Sequence, residues 1–226
     1  MKHRASAILT AAALAAVIVL AVAIRVSAAA PKPAEVSKQW QLSAKFEPVL
    51  PIQVQLAGEN RPRTFWYLRY TITNRTGDDR LFVPEFILYT DTGQILRAGR
   101  QVPSAVFTAI KRMYNDPLLL DAAEMTGKML QGEDNAKEGV AIWPDFDPSA
   151  GSFDVFVSGL SGETKEVNLP LPIHVTETNA AGKSVDVVKT KIILSRTLQQ
   201  HYQIPGEAAA RLSTPVKLVE ETWVMR

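Results

Sequence analysis

Three spacings of apolar residues divide the chain. From Ala5 to Ile24 no charge interrupts an alanine-, valine- and leucine-rich run. From Thr64 to Asn74 (TFWYLRYTITN) apolar and polar residues alternate, with Trp66, Leu68, Tyr70 and Ile72 on one face and Tyr67, Arg69, Thr71 and Thr73 on the other. Period two with aromatic and β-branched side chains predicts a strand. From Val102 to Met113 the apolar positions Val102, Ala105, Val106, Ala109, Ile110 and Met113 recur at helical spacing, which predicts one helix with one buried stripe. Asn115-Asp116-Pro117 ends it, and Leu118 to Met129 reads as a second short helical piece.

Strand patterns fill most of the remainder. Arg80 to Thr90 is apolar on both faces and reads as a central strand, with Pro84 demanding a bulge or an edge. Asp91-Thr92-Gly93 turns it into a hairpin partner, Gln94 to Arg97. Further strands are expected at Gly139 to Trp143 and Ser152 to Ser158. Val167 to Thr178 reads as a strand near an edge because of Pro170 and Pro172. A turn at 179–183 then leads into a long strand from Ser184 to Tyr202, and Val216 to Met225 closes the chain. Short strands parted by turns, with a helical insertion near 102–130, predict a mainly β fold. The expected form is an antiparallel, immunoglobulin-like β-sandwich over 40–226, with Trp66 as its buried tryptophan.

The N-terminal run changes the picture most. Lys2 and Arg4 precede it, and Val26-Ser27-Ala28 places small residues where a signal peptidase cuts. Its length matches the roughly 20 residues of a membrane-spanning helix. Residues 1–30 are therefore expected to be an export signal, either cleaved or kept as an anchor, with a flexible tether over 31–39. The domain is expected outside the cytoplasmic membrane, in the periplasm or beyond. The only membrane contact expected is through residues 5–24. There is no cysteine, so neither a lipid-anchored signal nor a disulfide is available, and the domain must be held by its own core. The net charge of +2 includes Lys2, Arg4 and Arg25, so the remainder carries −1. With both signs interspersed, no nucleic-acid partner is expected.

Four stretches together carry a resemblance: FWYLRYTITNRTGDDRLFVPEFILYTDTG, LLLDAAEMTGKMLQGEDNAKEGVAIWP, FDVFVSGLSGET and KLVEETWVMR. They resemble an uncharacterised family of exported bacterial proteins. TITNRTGDD is also similar to a strand end and turn common in bacterial immunoglobulin-like extracellular domains. The resemblance implies location and fold, and it carries over no catalytic residue.

Candidate chemistry is sparse. Asp91-Thr92-Gly93 is the tripeptide of aspartic proteases, but that reaction needs two such aspartates, and turn geometry accounts for this one. The acidic stretch 131–139, with Glu133, Asp134 and Asn135, offers oxygen ligands for a cation or hydrogen bonds to a ligand, and otherwise reads as a solvated loop. Asp145, Asp147 and Asp154 supply carboxylates without a fixed separation. His174 and His201, with Met113, Met125 and Met129, are too few and too scattered to specify a zinc or copper site. Asn74-Arg75-Thr76 fits a glycosylation sequon, but a turn explains it equally well. No catalytic residue, metal or cofactor is assigned.

The function expected is therefore a non-catalytic interaction module that binds another envelope protein, with the inserted helix as its contact surface and Phe107 or Ile110 partly exposed. The alternative is a small-ligand or carbohydrate binder, with Phe65 and Tyr67 exposed for stacking and Glu133, Asp134 and Asn135 at the rim of a pocket. A hydrolase or metal-handling protein would need Asp91, Glu133, Asp134, Asp145 and His201 to converge.

Overall fold

The computed structural model describes residues 31–226 except 38, 180–181 and 207–209. The expected export segment, residues 1–30, lies outside them. Twelve strands and two helices are described, in the order β1 Ser43–Phe46, β2 Leu50–Val54, β3 Arg63–Asn74, β4 Arg80–Phe82, β5 Glu85–Thr90 and β6 Ile95–Arg97. Then come α1 Ser104–Met113, α2 Ala122–Met125, β7 Gly127–Met129, β8 Gly132–Pro144, β9 Ser152–Ser158, β10 Thr164–Thr178, β11 Ser184–Gln203 and β12 Lys217–Met225.

The strand predicted most firmly organises the first sheet. β3 pairs antiparallel with β8 on one side and with β1 and then β2 on the other. Its alternation works as expected on one face, where Trp66, Leu68, Tyr70 and Ile72 are buried. These residues meet Leu88 from β5, Phe153, Val155 and Val157 from β9 and Leu198 and Tyr202 from β11 in a single core between two antiparallel sheets. Trp66 and Trp143 are register partners, and both are fully buried.

The opposite face of β3 corrects an expectation. Phe65 and Tyr67 are buried, not exposed, because α1 lies over them. Val106 and Ile110, one turn apart, pack with Phe65, Tyr67, Val140 and Ile142 in a second cluster. Burying each of those two helix side chains contributes about 1.5–3 kcal/mol. The predicted stripe is thus the seal on the sheet. Of the two residues expected to be partly exposed on this helix, Ile110 is fully buried and Phe107 is half-buried. Met113, the last member of the stripe, is 54% exposed where the helix ends. Lys111 and Arg112 occupy the last turn, as suits the negative end of the helix dipole.

Other departures have plain causes. The segment 80–90 is two strands, because Pro84 lacks the N–H a ladder needs: β4 pairs with β7, and β5 pairs with β6 and β9. The second helical piece shrinks to the single turn α2, which Asp121 and Glu124 hold in a capping box, and the chain becomes strand at Gly127. The acidic stretch belongs to β8, yet its pairing skips from Ile72↔Lys137 to Asn74↔Gly132, so 133–136 bulge out of the ladder. The segment expected as a tether is hydrogen-bonded to the domain: Ser37 Oγ lies 3.1 Å from Ser161 Oγ, and the Ala34 amide donates to Glu163 Oε1 at 3.2 Å.

Candidate functional site

Of the residues singled out for chemistry, Asp154 and His201 pair with each other, and the others are engaged in separate places. Glu133, exposed, pairs with Arg75, whose hydrogen bond holds its carboxyl below the usual range. Asn135 donates to the Gln131 carbonyl at 2.6 Å, and Asp134 is exposed beside it. Tyr67, buried in the second cluster, places its hydroxyl 2.9 Å from that of Tyr114, and burial raises its pKa. A buried ring under a helix is no platform for a sugar. Tyr67 also lies on the helix-covered face of the sheet, in a different cluster from any contact made by the acidic bulge.

The aspartates cap turns. Asp91 Oδ2 accepts from the amides of Gly151 at 3.0 Å and Ser152 at 3.1 Å, which ties one hairpin turn to the start of β9. Asp145 Oδ1 accepts from the Trp66 indole, and Asp147 Oδ1 from the Ser149 amide and hydroxyl. Those two bonds hold the Asp147 carboxyl below its ordinary pKa. Asp154 Oδ1 faces His201 Nδ1 at 2.8 Å across the β9–β11 register. Met125 and Met129 are core residues, while Met113 and His174 are exposed. Among the described residues no three His, Asp or Glu side chains are grouped to hold a metal ion.

What stands out is a two-stranded arm. Among the described residues, β10 and residues 184–194 of β11 have only each other as strand partners, and Ser195 already exchanges backbone hydrogen bonds with Arg226. β10 contains no buried residue, and β11 contains none before Arg196. The arm is nevertheless rich in aliphatic side chains: Leu171 is 74% exposed, Ile193 69% and Val188 54%. Val175 pairs with Val187, and Ile173 with Lys189. Lys189–Glu177 and Lys191–Glu166 are exposed cross-strand ion pairs, which hold register more than they stabilise. The prolines act as expected: between Asn168 and Ile173 the register shifts, and Pro170 and Pro172 fall inside that bulge.

The root of the arm is built differently. Arg196 Nη1 donates to Glu163 Oε2 at 3.0 Å, with the two side chains 3% and 10% exposed. The same nitrogen donates to the Ala34 carbonyl, and the guanidinium lies 4.7 Å from the centre of the Trp223 ring. The base of the arm, the first described residues and the last strand are thus joined at one buried ion pair. Beyond that pair, β11 continues between β9 and β12.

Sequence reasoning placed both strands of the arm but missed its significance. The signal was present: Val167, Leu169, Leu171, Ile173 and Val175 alternate with polar residues and two prolines, which bar the segment from a sheet interior. Glu163 and Arg196 gave no signal, since partners far apart in sequence are revealed only by the fold.

No family model, curated protein or solved structure matches the chain. Among the described residues no helix is long and apolar enough to cross a membrane.

Proposed function

We propose that this is an exported, non-catalytic envelope protein that works as an interaction module, with the β10–β11 arm as its contact surface. In this reading residues 1–30 carry it across the cytoplasmic membrane. The sandwich is of the immunoglobulin-like kind, in an exported bacterial family, and the partner is another envelope protein. One observation carries the proposal: a long aliphatic ribbon with no buried residue in β10 or in β11 before Arg196. An isolated two-stranded hairpin is marginal in water, and contiguous exposed apolar surface marks interaction sites. Free backbone along its outer edges suits strand addition by a partner. Beyond the Asp154–His201 pair, the carboxylates singled out in the sequence sit with separate structural partners, which supports a role without catalysis. The helix α1, expected as the contact surface, has its apolar stripe committed to the sheet, so the arm takes that role.

The test is a crosslinked pull-down from the cell envelope with a C-terminally tagged chain, comparing wild type with a variant in which a short turn replaces residues 168–190. A protein captured by wild type and lost from the shortened arm supports the reading. Identical captures, or bait alone from both, count against it.

A further inference from the structure

The two long edges of the arm are not alike. On β10, Pro170 and Pro172 carry no N–H, and the strand advances five residues, from Asn168 to Ile173, while β11 steps two, from Lys191 to Lys189. Prolines and bulges are devices that keep a further strand from pairing with an edge. On β11 the run from Ser184 to Leu194 is strand throughout and contains neither proline nor glycine.

Two neighbouring sets of hydrogen bonds fix the sides of β11. The Arg196 amide donates to the Glu163 carbonyl at 2.9 Å, on the side of β10. The Ser195 amide donates to the Arg226 carbonyl at 2.7 Å, and the Arg226 amide donates back at 3.0 Å, on the side of β12. Successive residues of a strand turn their N–H and C=O groups to opposite sides, so β10 and β12 flank β11 on opposite sides. β12 occupies its side of β11 along Arg196 to Gln203. Along 184–194 the same side holds no strand among the described residues. It is an open lane roughly 36 Å long. Ile193, two residues from Ser195 in the same regular ladder, turns its N–H and C=O into that lane.

We infer that the partner docks by strand addition in this lane: an extended segment of another protein lies antiparallel to β11, as β12 does, and completes a three-stranded ribbon along 184–194. This rests on the arm being the contact surface. A two-stranded hairpin is marginal alone, and a third strand on its unblocked edge is what it lacks. The side chains beside the lane set the chemistry of the segment. Val185, Val188 and Ile193, all exposed, favour aliphatic residues opposite them, and Lys189 and Lys191 favour acidic residues over basic ones. A second copy of this chain is a poor occupant. Laid antiparallel along the whole lane, with 184 opposite 194, it sets Lys189 against Lys189.

The envelope pull-down with the tagged full chain tests this when one proline is placed on each edge. Ile193→Pro removes a donor from the lane and leaves the bonds between β11 and β10 in place. Asn168→Pro removes a donor from the outer edge of β10, and Ile193→Thr keeps the lane N–H while shedding aliphatic surface. Recovery of the protein captured by wild type is expected to fall roughly tenfold with Ile193→Pro, as for an acceptor left unmatched in an interface, and to stay near the wild-type level with the other two. All three should melt as wild type does, since neither position is buried. Capture retained by Ile193→Pro, an equal loss from Asn168→Pro or Ile193→Thr, or a melting temperature lowered by Ile193→Pro overturns the lane and leaves the arm as the contact surface. Recovery of this chain alone, crosslinked to itself, overturns it in favour of self-pairing. Uncrosslinked bait alone from wild type overturns both readings.

Discussion

Trp66 donates its indole N–H to Asp145 Oδ1 at 2.8 Å, and the Phe146 amide donates to the same oxygen at 3.0 Å. Arg211, 4% exposed, reaches Asp145 with Nη2 at 3.3 Å and the Phe146 carbonyl with Nη1 at 3.0 Å, and its guanidinium lies 4.5 Å from the centre of the Phe146 ring. One carboxylate just after β8 thus accepts the indole N–H of a fully buried tryptophan and lies beside a buried cation. Asp145→Ala should cost about 1–3 kcal/mol, the usual penalty for stranding a buried donor. At about 2–4 °C per kcal/mol for a chain of this size, the loss is readable in a thermal melt. Asp145→Asn, which keeps an acceptor, should lose less. Equal melting points for all three proteins would show that the contact does not stabilise the fold.

Gly139 is where β8 passes over Tyr70. A Cβ there would stand 2.7 Å from Tyr70 Cζ and 2.8 Å from Met125 Cε. Both neighbours are fully or almost fully buried. Gly139→Ala should therefore destabilise by about 1–3 kcal/mol, as overpacking does. An unchanged denaturation midpoint would mean that the ring moves freely.

Breaking the pair at the root of the arm should have a local as well as a global effect. Glu163→Ala leaves Arg196 buried without its carboxylate, a change that typically costs about 3–5 kcal/mol. It also removes the acceptor of the Ala34 amide. The expected result is a lower melting temperature together with faster protease cleavage within 31–37. Cleavage at the wild-type rate would show that the segment is held by other contacts.

Three buried tyrosines set an alkaline limit. Burial raises the pKa of Tyr67, Tyr70 and Tyr202, with Tyr114 adding to it at Tyr67, Asp121 at Tyr70 and Glu221 at Tyr202. An acid held neutral by the fold contributes stability that is intact below the unfolded pKa of about 10 and is lost as pH rises above it. Unfolding free energy should be flat from neutral pH to about 10 and fall beyond. Tyrosinate absorbance should rise for these residues together with the loss of native tryptophan fluorescence. Full ionisation of all tyrosines ahead of unfolding would contradict this.

Local pattern made much of this fold legible. Alternation from Trp66 to Ile72 located the central strand, the stripe Val106–Ile110 located the helix, and Asp91-Thr92-Gly93 located the hairpin of β5 and β6. The same pattern could not say what covers the second face of a strand. Phe65 and Tyr67 looked solvent-facing because a period-two reading assumes one wet face, whereas α1 arrives from 40 residues downstream to cover it. Pro84 was seen, but whether it bulges or breaks a strand depends on which sheets are available on either side. The acidic residues Glu133, Asp134 and Asn135 were read as a loop because their composition is polar, and the bulge satisfies both descriptions. The arm was read as strand but not as unpartnered surface, since exposure is a property of neighbours.

β11 runs for 20 residues without interruption, first against β10 in the arm and then between β9 and β12. The arm is therefore not hinged to the sandwich on that strand. Tension applied along the arm enters the second sheet through a single continuous backbone and loads the hydrogen bonds to β9 and β12 in shear, many at once, because antiparallel bonds lie perpendicular to the strand. A chain built this way can serve as a mechanical coupling, resisting a lengthwise pull far better than a sideways peel.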